Sequence, residues 1–316
     1  MSFDWRTDEE SGWQEEVASG ETAVTKPLWR VWWIGLAALL VLAGGWLVVQ
    51  RQISQRVTVA TEEVEAVLLD THNFLLQTAV NQDEDLFRAN LSGRNPDWVD
   101  VQNTLLTDGL LLDRPMFGWQ YDIEQAHLTL ADIDVGLSPD LQEAELKYPQ
   151  RFLIQTPAGN TETISLQQTA VYRKGTSRWL FAPPFDEFWG DWITETGERL
   201  TLVFSERDTA VAQQLAIDLD ALLSQMCAEL EGFNCDNSLR VHLRLDTEPD
   251  SILSSNEIEP FLSGGLRLEL PTPTLLGTPT DEASYQALYR AYGVQMATAV
   301  LAHQIDYDCC HHQLFF

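Results

Sequence analysis

The sequence predicts an α+β protein with one N-terminal transmembrane helix, then an antiparallel-sheet cone domain, then a strand-helix-strand domain ending in a helix. An uncharged run from Val31 to Val49 predicts the span. A change from helical spacing to strict alternation at Trp119 predicts the cone, because successive strand side chains point to opposite faces. A strand, a helix and a second strand between Arg199 and Leu245 predict the last domain. The boundaries follow: 1–27 an acidic tail, 28–50 the span, 51–192 the cone and 193–316 the final domain.

The tail carries Asp4, Asp8, Glu9, Glu10, Glu15, Glu16 and Glu21 against Arg6 and Lys26. With so few apolar groups to offset chain entropy it is expected to be unfolded, with Trp5 and Trp13 as a short docking motif for a protein partner or as part of a merely solubilising segment. The whole chain has 48 acidic and 19 basic residues, a net charge of −29. Such a field repels phosphate and excludes nucleic acid as the main partner. Four cysteines in 316 residues exclude a disulfide-stapled miniprotein.

Nineteen helical residues span roughly 28 Å, close to the hydrocarbon thickness of a bilayer, so the lipid bilayer is the first expected partner. Trp29, Trp32, Trp33 and Trp46 sit toward the ends, where indoles favour the headgroup layer, and Arg30 and Arg51 bracket the run. Basic residues do not orient it: Lys26 and Arg30 precede the span, Arg51 and Arg56 follow it. A short uncleaved tail before a single span reads as a signal anchor in the cell membrane, with the N-terminus cytoplasmic and the following domains extracytoplasmic. Cys227 and Cys235 fit that compartment as a helix-to-loop disulfide; two small buried thiols are the alternative.

Val64, Val67, Leu68, Phe74, Leu75 and Leu76 recur at helical spacing, predicting a long helix over 58–80 with Thr61 as N-cap. Asn95-Pro96-Asp97 predicts an N-cap and N1 proline for a helix stopped near Gly109. Alternation then begins. Leu128 and Leu130 are out of phase with Ile133 and Val135, predicting a β-bulge at Ala131-Asp132. Ala144, Leu146 and Tyr148, then Phe152 and Ile154, then Ile164 and Leu166 predict further strands, and Val171 to Trp179 a hairpin in which Gly175 supplies a positive φ.

Helices first, a bent meander second, and the closing hairpin with Arg178-Trp179-Leu180-Phe181 resemble the nuclear-transport-factor-two-like, or SnoaL-like, fold over residues 58 to 192. That resemblance implies helices on the concave face of the sheet and a cavity lined, in enzymes, by an Asp/His or Asp/Tyr pair. Asp70, His72, His127 and Tyr121 are the available residues. His127 precedes a core-facing leucine and so points away from a cavity, and His72 is the weaker candidate. A binding or spacer module is expected. Phe185, Phe188, Trp189 and Trp192 form an aromatic connector, read as a packed joint or, if exposed, a partner surface.

Beyond it, Arg199 to Phe204 is a strand. Ser205 or Asp208 is expected to cap a helix bearing Val211, Leu215, Leu219, Leu222, Met226 and Leu230, ended by Gly232. Leu239 to Leu245 and Leu266 to Pro271 alternate as strands, and a helix over Tyr285 to Ile305 follows Thr280 and Asp281 as caps.

This order resembles the amino-terminal half of a gluzincin, the peptidase-MA-like group, whose helix carries His-Glu-x-x-His. Here the helix reads His303-Gln304-Ile305-Asp306-Tyr307. His303 matches the first zinc ligand; Gln304 stands for the general base and Tyr307 for the second histidine. An amide cannot take a proton from metal-bound water, a phenol is a poor zinc ligand, and Asp306 lies on another side of the helix. No catalytic residue, metal or cofactor is therefore assigned, with His303 the single weak metal candidate. Cys309-Cys310-His311-His312 are consecutive and fan apart rather than converge, leaving small buried cysteines as the plainer reading and a chelating tail with Asp306 and Asp308 as the other. The apolar ending Gln313 to Phe316 reads as truncated. The function expected is a membrane-anchored, non-catalytic binding or sensing protein with a pseudo-peptidase region; a membrane-bound zinc hydrolase is the alternative.

Overall fold

The computed structural model describes residues 61–125, 127–156, 159–229, 239–253, 259–260 and 265–304. The tail, the apolar run and its tryptophans lie outside them, as do Cys235 and residues 305–316. Among the described residues no helix is long and apolar enough to cross a membrane.

Three helices come first: α1 (61–80), α2 (Glu84–Ala89) and α3 (Pro96–Thr107). The expected cap of α3 forms, the Asn95 side chain accepting from the Trp98 N–H at 3.1 Å with proline in the first turn. Gly109, at φ +72°, ends it, and the Leu110 N–H bonds back to the Leu105 carbonyl at 2.8 Å.

The protein is a mixed α+β structure whose first sheet is antiparallel and curled. Its strands are β1 (Trp119–Tyr121), β2 (Asp134–Leu137), β3 (Glu143–Gln155), β4 (Thr161–Lys174) and β5 (Trp179–Ala182). The long hairpin β3–β4 is paired without interruption from Glu143↔Arg173 to Gln155↔Thr161. On the far edge of β3, β2 pairs residues 144–147 and β1 pairs residues 152–154. Pro149, which cannot donate to a ladder, sits in the gap between them.

Two local expectations are corrected. The phase slip near Asp132 is a turn rather than a bulge: the Asp132 carboxylate accepts from the Thr129 N–H at 2.8 Å and its hydroxyl at 2.6 Å, a local bond that competes with strand pairing. Gly175 is not among the glycines with positive φ. A four-residue loop joins Lys174 to Trp179, and what Gly175 supplies is space, since a Cβ there would lie 3.1 Å from the Arg178 carbonyl oxygen.

After a short helix α4 (Asp186–Trp189) the chain enters a second sheet, in the order β6 (Trp192–Thr196), β7 (Leu200–Ser205), β8 (Val241–Asp246), β10 (Leu266–Pro271) and β9 (Glu259–Pro260). β7, β8 and β10 run parallel, with α5 (Thr209–Glu229) as the crossover between β7 and β8. Strand, helix and strand therefore form as expected, but the helix cap does not. Ser205 makes no cap bond, and its hydroxyl donates to Asp208 at 2.8 Å. The buried Asp208 carboxylate instead accepts from the Thr272 hydroxyl and from the Thr274 N–H and hydroxyl, tying the start of α5 to the turn after β10. The stripe on α5 is centred on Ala212, Leu215, Leu219 and Leu223, with Val211 and Leu222 half-covered at its edges.

A four-residue helix α6 (Pro273–Leu276) leads to β11 (Thr278–Pro279), which returns to the first sheet beside β4, and then to α7 (Glu282–Gln304). Asp281 caps α7 as expected, accepting from the Ser284 N–H at 2.8 Å, and the Ser284 hydroxyl oxygen accepts in return from the Thr280 and Asp281 N–H groups.

These connections make one hairpin serve two cores. Near the open end of β3–β4, Leu68 of α1 packs on Ala144, Leu146, Ala170 and Tyr172. Near its turn, Phe152, Ile154, Ile164 and Leu166 belong to a larger core with β7, β8, β10, α5 and α7. The two sequence regions divided at residue 192 thus change sheets there while sharing hydrophobic packing.

Candidate functional site

Alternation along β3 points Ala144, Leu146, Tyr148, Gln150, Phe152 and Ile154 to one face, and the register places Leu166, Gln168, Ala170 and Tyr172 of β4 beside them. Both rows are apolar at their ends and polar in the middle. Tyr148 lies opposite Gln168, and Gln150 follows. This polar band falls where the two cores meet. A cavity of about 130 Å³ opens beside it, walled by α1, α3, the 110–114 loop, the start of the aromatic connector, and residues 249, 252, 274 and 275.

His72 enters from α1. Leu68, His72, Leu75, Leu76 and Ala79 recur at three- and four-residue spacing on the buried stripe, which places the imidazole where a leucine would pack. It is 2% exposed. Its Nδ1 lies 2.6 Å from the Tyr172 hydroxyl, and its ring centre 4.2 Å from that of Tyr148. Burial holds its pKa down to about 3, so it is neutral at neutral pH. Burial also raises the Tyr148 and Tyr172 hydroxyls above the ordinary range, leaving both protonated. The His72 Nε2 is buried and has no hydrogen-bond partner. When Tyr172 donates to Nδ1, Nε2 carries the hydrogen and is a donor; in the other tautomer it accepts.

Arg114 closes another wall, 6% exposed. Its Nη1 donates to the carbonyls of Leu110, Leu111 and Asp113 at 2.6, 3.1 and 2.9 Å, bracing the loop after α3. Burial lowers its pKa to about 10, opposed by Tyr148 and Asp113, so the guanidinium is charged at neutral pH. Its Nε is buried without a partner. Gln150 donates weakly to the Leu112 carbonyl at 3.4 Å and Gln168 to the Leu276 carbonyl at 2.7 Å. Gly277, at φ +112°, leaves room for that amide: a Cβ there would come within 2.5 Å of the Gln168 Nε2.

None of the described residues lining the cavity is a carboxylate. A neutral histidine with so low a pKa is a poor general base at neutral pH, because efficient proton transfer wants a pKa near the working pH. The arrangement suits binding: apolar walls, a few aimed polar groups and one buried cation.

Of the residues weighed from sequence, His72 lies in the cavity although its pattern ranked it low. Asp70 is exposed on α1. His127 is exposed beside buried Leu128, so it points outward as expected, on a loop rather than a strand. Tyr121 is half-buried, and its N–H donates to Asp113 at 2.7 Å. The aromatic connector is mostly a packed joint: Phe188 is buried under the Arg207 guanidinium at 3.7 Å and meets the cavity with Trp189, whereas Trp192 is 46% exposed beneath Arg244.

Cys227 is disulfide-bonded, while its expected partner Cys235 lies outside the described residues. The backbone of His303 is in the last turn of α7; its side chain, and Asp306 through His312, are outside the description. Among the described residues no group of three His, Cys, Asp or Glu is placed to hold a metal ion.

Arg114, Gln102, Gln150 and Gln168 were missed. The legible signal was present for two of them, since Gln150 and Gln168 occupy core parity in rows otherwise made of aliphatic and aromatic residues. No family model matches the chain, and no curated protein matches it.

Proposed function

We propose that the protein is a single-pass, membrane-anchored, non-catalytic binding or sensing protein, and that its ligand site is the cavity in a nuclear-transport-factor-two-like cone. In this reading the short tail before the span is cytoplasmic, and the cone and pseudo-peptidase region are extracytoplasmic. The cavity carries this reading: an apolar space meets the buried, unmatched Nε2 of His72, and native interiors rarely leave such an atom without a partner. The missing carboxylate and the low histidine pKa support binding over turnover.

Fluorobenzene uptake by the full-length chain in lipid nanodiscs, followed by ¹⁹F NMR against empty nanodiscs, tests the cavity. Saturable binding is expected, with at least tenfold weakening by Ala79→Leu, which fills a lining position. Signal identical to empty nanodiscs would end the reading. Resistance of the chain to carbonate extraction from membranes, and its release by detergent, tests the anchor. Zinc bound in stoichiometric amount and lost on His303→Ala would favour the hydrolase instead.

A further inference from the structure

We infer that the ligand of this cavity is a small apolar carboxylate, its anionic end held by the Nε/Nη2 edge of Arg114. The inference rests on the binding reading above and names its ligand class. A guanidinium presents its five N–H donors as edges, each able to hold a carboxylate through two parallel bonds. In Arg114 one terminal nitrogen is committed, since Nη1 faces three backbone carbonyls. On the opposite edge Nε is buried without an acceptor, and among the described residues no hydrogen bond uses Nη2.

No described carboxylate comes within ion-pair distance of this buried cation. That is unexpected in a chain with 48 acidic residues and only 19 basic ones, where a counterion is the easiest partner to supply. Asp113, its neighbour in sequence, favours the charged guanidinium only from beyond ion-pair distance, and its Oδ1 accepts from the Tyr121 N–H. Buried charges are ordinarily paired, and a partner missing from the chain can arrive with a ligand.

The rest of the cavity sets the ligand's body. Leu75, Trp98, Leu105 and Phe181 give apolar walls, and the volume of about 130 Å³ is close to that of cavities of about 150 Å³ that take up benzene. One ring, or a chain of comparable size, fits behind the carboxylate. His72 Nε2 and the Gln102 amide are left to meet a second polar group on the ligand.

The test compares 4-fluorobenzoate with its neutral near-isostere 4-fluorobenzamide, by ¹⁹F NMR on the full-length chain in nanodiscs, with empty nanodiscs subtracted. Benzoate is expected to bind at least tenfold more tightly. Arg114→Gln is expected to remove that preference while fluorobenzene still binds. Because Nη1 also braces the 110–114 loop, Arg114→Lys gives a second reading: it keeps the charge, loses the paired donors, and is expected to bind benzoate less tightly than the wild type and more tightly than Arg114→Gln. Equal binding of benzoate and benzamide by the wild type would overturn the carboxylate inference while leaving the cavity reading intact. Absence of binding by all three probes would overturn both.

Discussion

The two sheets bury comparable inner faces and treat polarity in opposite ways. On the three parallel strands of the second sheet the inner rows are Leu200, Leu202 and Phe204, then Val241, Leu243 and Leu245, then Leu266, Leu268 and Leu270, with no polar side chain among them. In the antiparallel sheet the equivalent rows are broken at midpoint by Tyr148, Gln150 and Gln168. The first arrangement maximises burial and leaves nothing to recognise a ligand. The second forgoes close apolar packing where two cores meet and gains a cavity with directional groups. The polar faces differ too. The outer face of the second sheet, which is mixed because its edge strands β6 and β9 run antiparallel, carries Arg244 over Trp192 and an Arg267–Glu269 ion pair at 2.7 Å, so that side is polar.

The comparison breaks first if the parallel core tolerates truncation. Leu243→Ala removes a fully buried side chain from the core shared with α5 and α7 and is expected to cost about 3 kcal/mol, read from the urea midpoint at constant slope. A loss under about 1 kcal/mol would mean that this sheet is not the close-packed half.

A second test sharpens the polar side through pH. His72 is neutral when folded and has a pKa of about 3, against an ordinary value of 6.5 in the unfolded chain. The unfolded state therefore binds the extra proton first, and stability is present above pH 6.5 and lost as pH falls toward 3. Within that window the histidine contributes a slope of up to about 1.4 kcal/mol per pH unit. Denaturation midpoints of His72→Phe are expected to fall less steeply between pH 6.5 and 4 than those of the wild type. At neutral pH the same change is expected to cost about 1 kcal/mol, because Tyr172 loses its partner. Parallel slopes for the two proteins would place His72 in contact with water.

The smallest effect is expected from Gln150→Leu. Its side-chain hydrogen bond among the described residues is long, and the replacement is close in volume and apolar, so stability is expected to change by less than about 1 kcal/mol in either direction. Ligand binding is the informative readout: a weaker preference for benzoate over benzamide would show that the band acts as a unit. A destabilisation as large as that of Leu243→Ala would mean the glutamine is a structural member of the core.

Much of the framework was legible because it is encoded locally. The cap at Asn95, the stop at Gly109, the cap at Asp281, and the strands β7, β8 and β10 each depend on residues within a few positions of one another. Errors arose where a local pattern was answered by a distant partner. Asp208 looked like a helix cap and is instead held by Thr272 and Thr274, more than sixty residues away. Leu128 and Ile133 looked like strand phases, but Asp132 closes a turn between them and Asn73 of α1 bonds the backbone of Leu128.

His72 likewise takes its role from distant partners. A single histidine on an apolar helical stripe has no local feature separating a packed imidazole from a cavity group. Only the approach of Tyr148 and Tyr172, seventy-six and one hundred residues further along, gives it a role.

Periodicity and capping chemistry by themselves determined the long helices α1, α3, α5 and α7, the long strands of both sheets and the faces they bury, and an uncharged run long enough for a bilayer precedes them. Those properties are set by neighbouring side chains along a short stretch of backbone. Tertiary structure alone decided that β11 returns to the first sheet, that one hairpin supports two cores, and that Arg114, His72 and the glutamines face a common space. A cavity is a relation among elements brought together from across the chain, and side-chain periodicity along one segment carries no record of what lies opposite it.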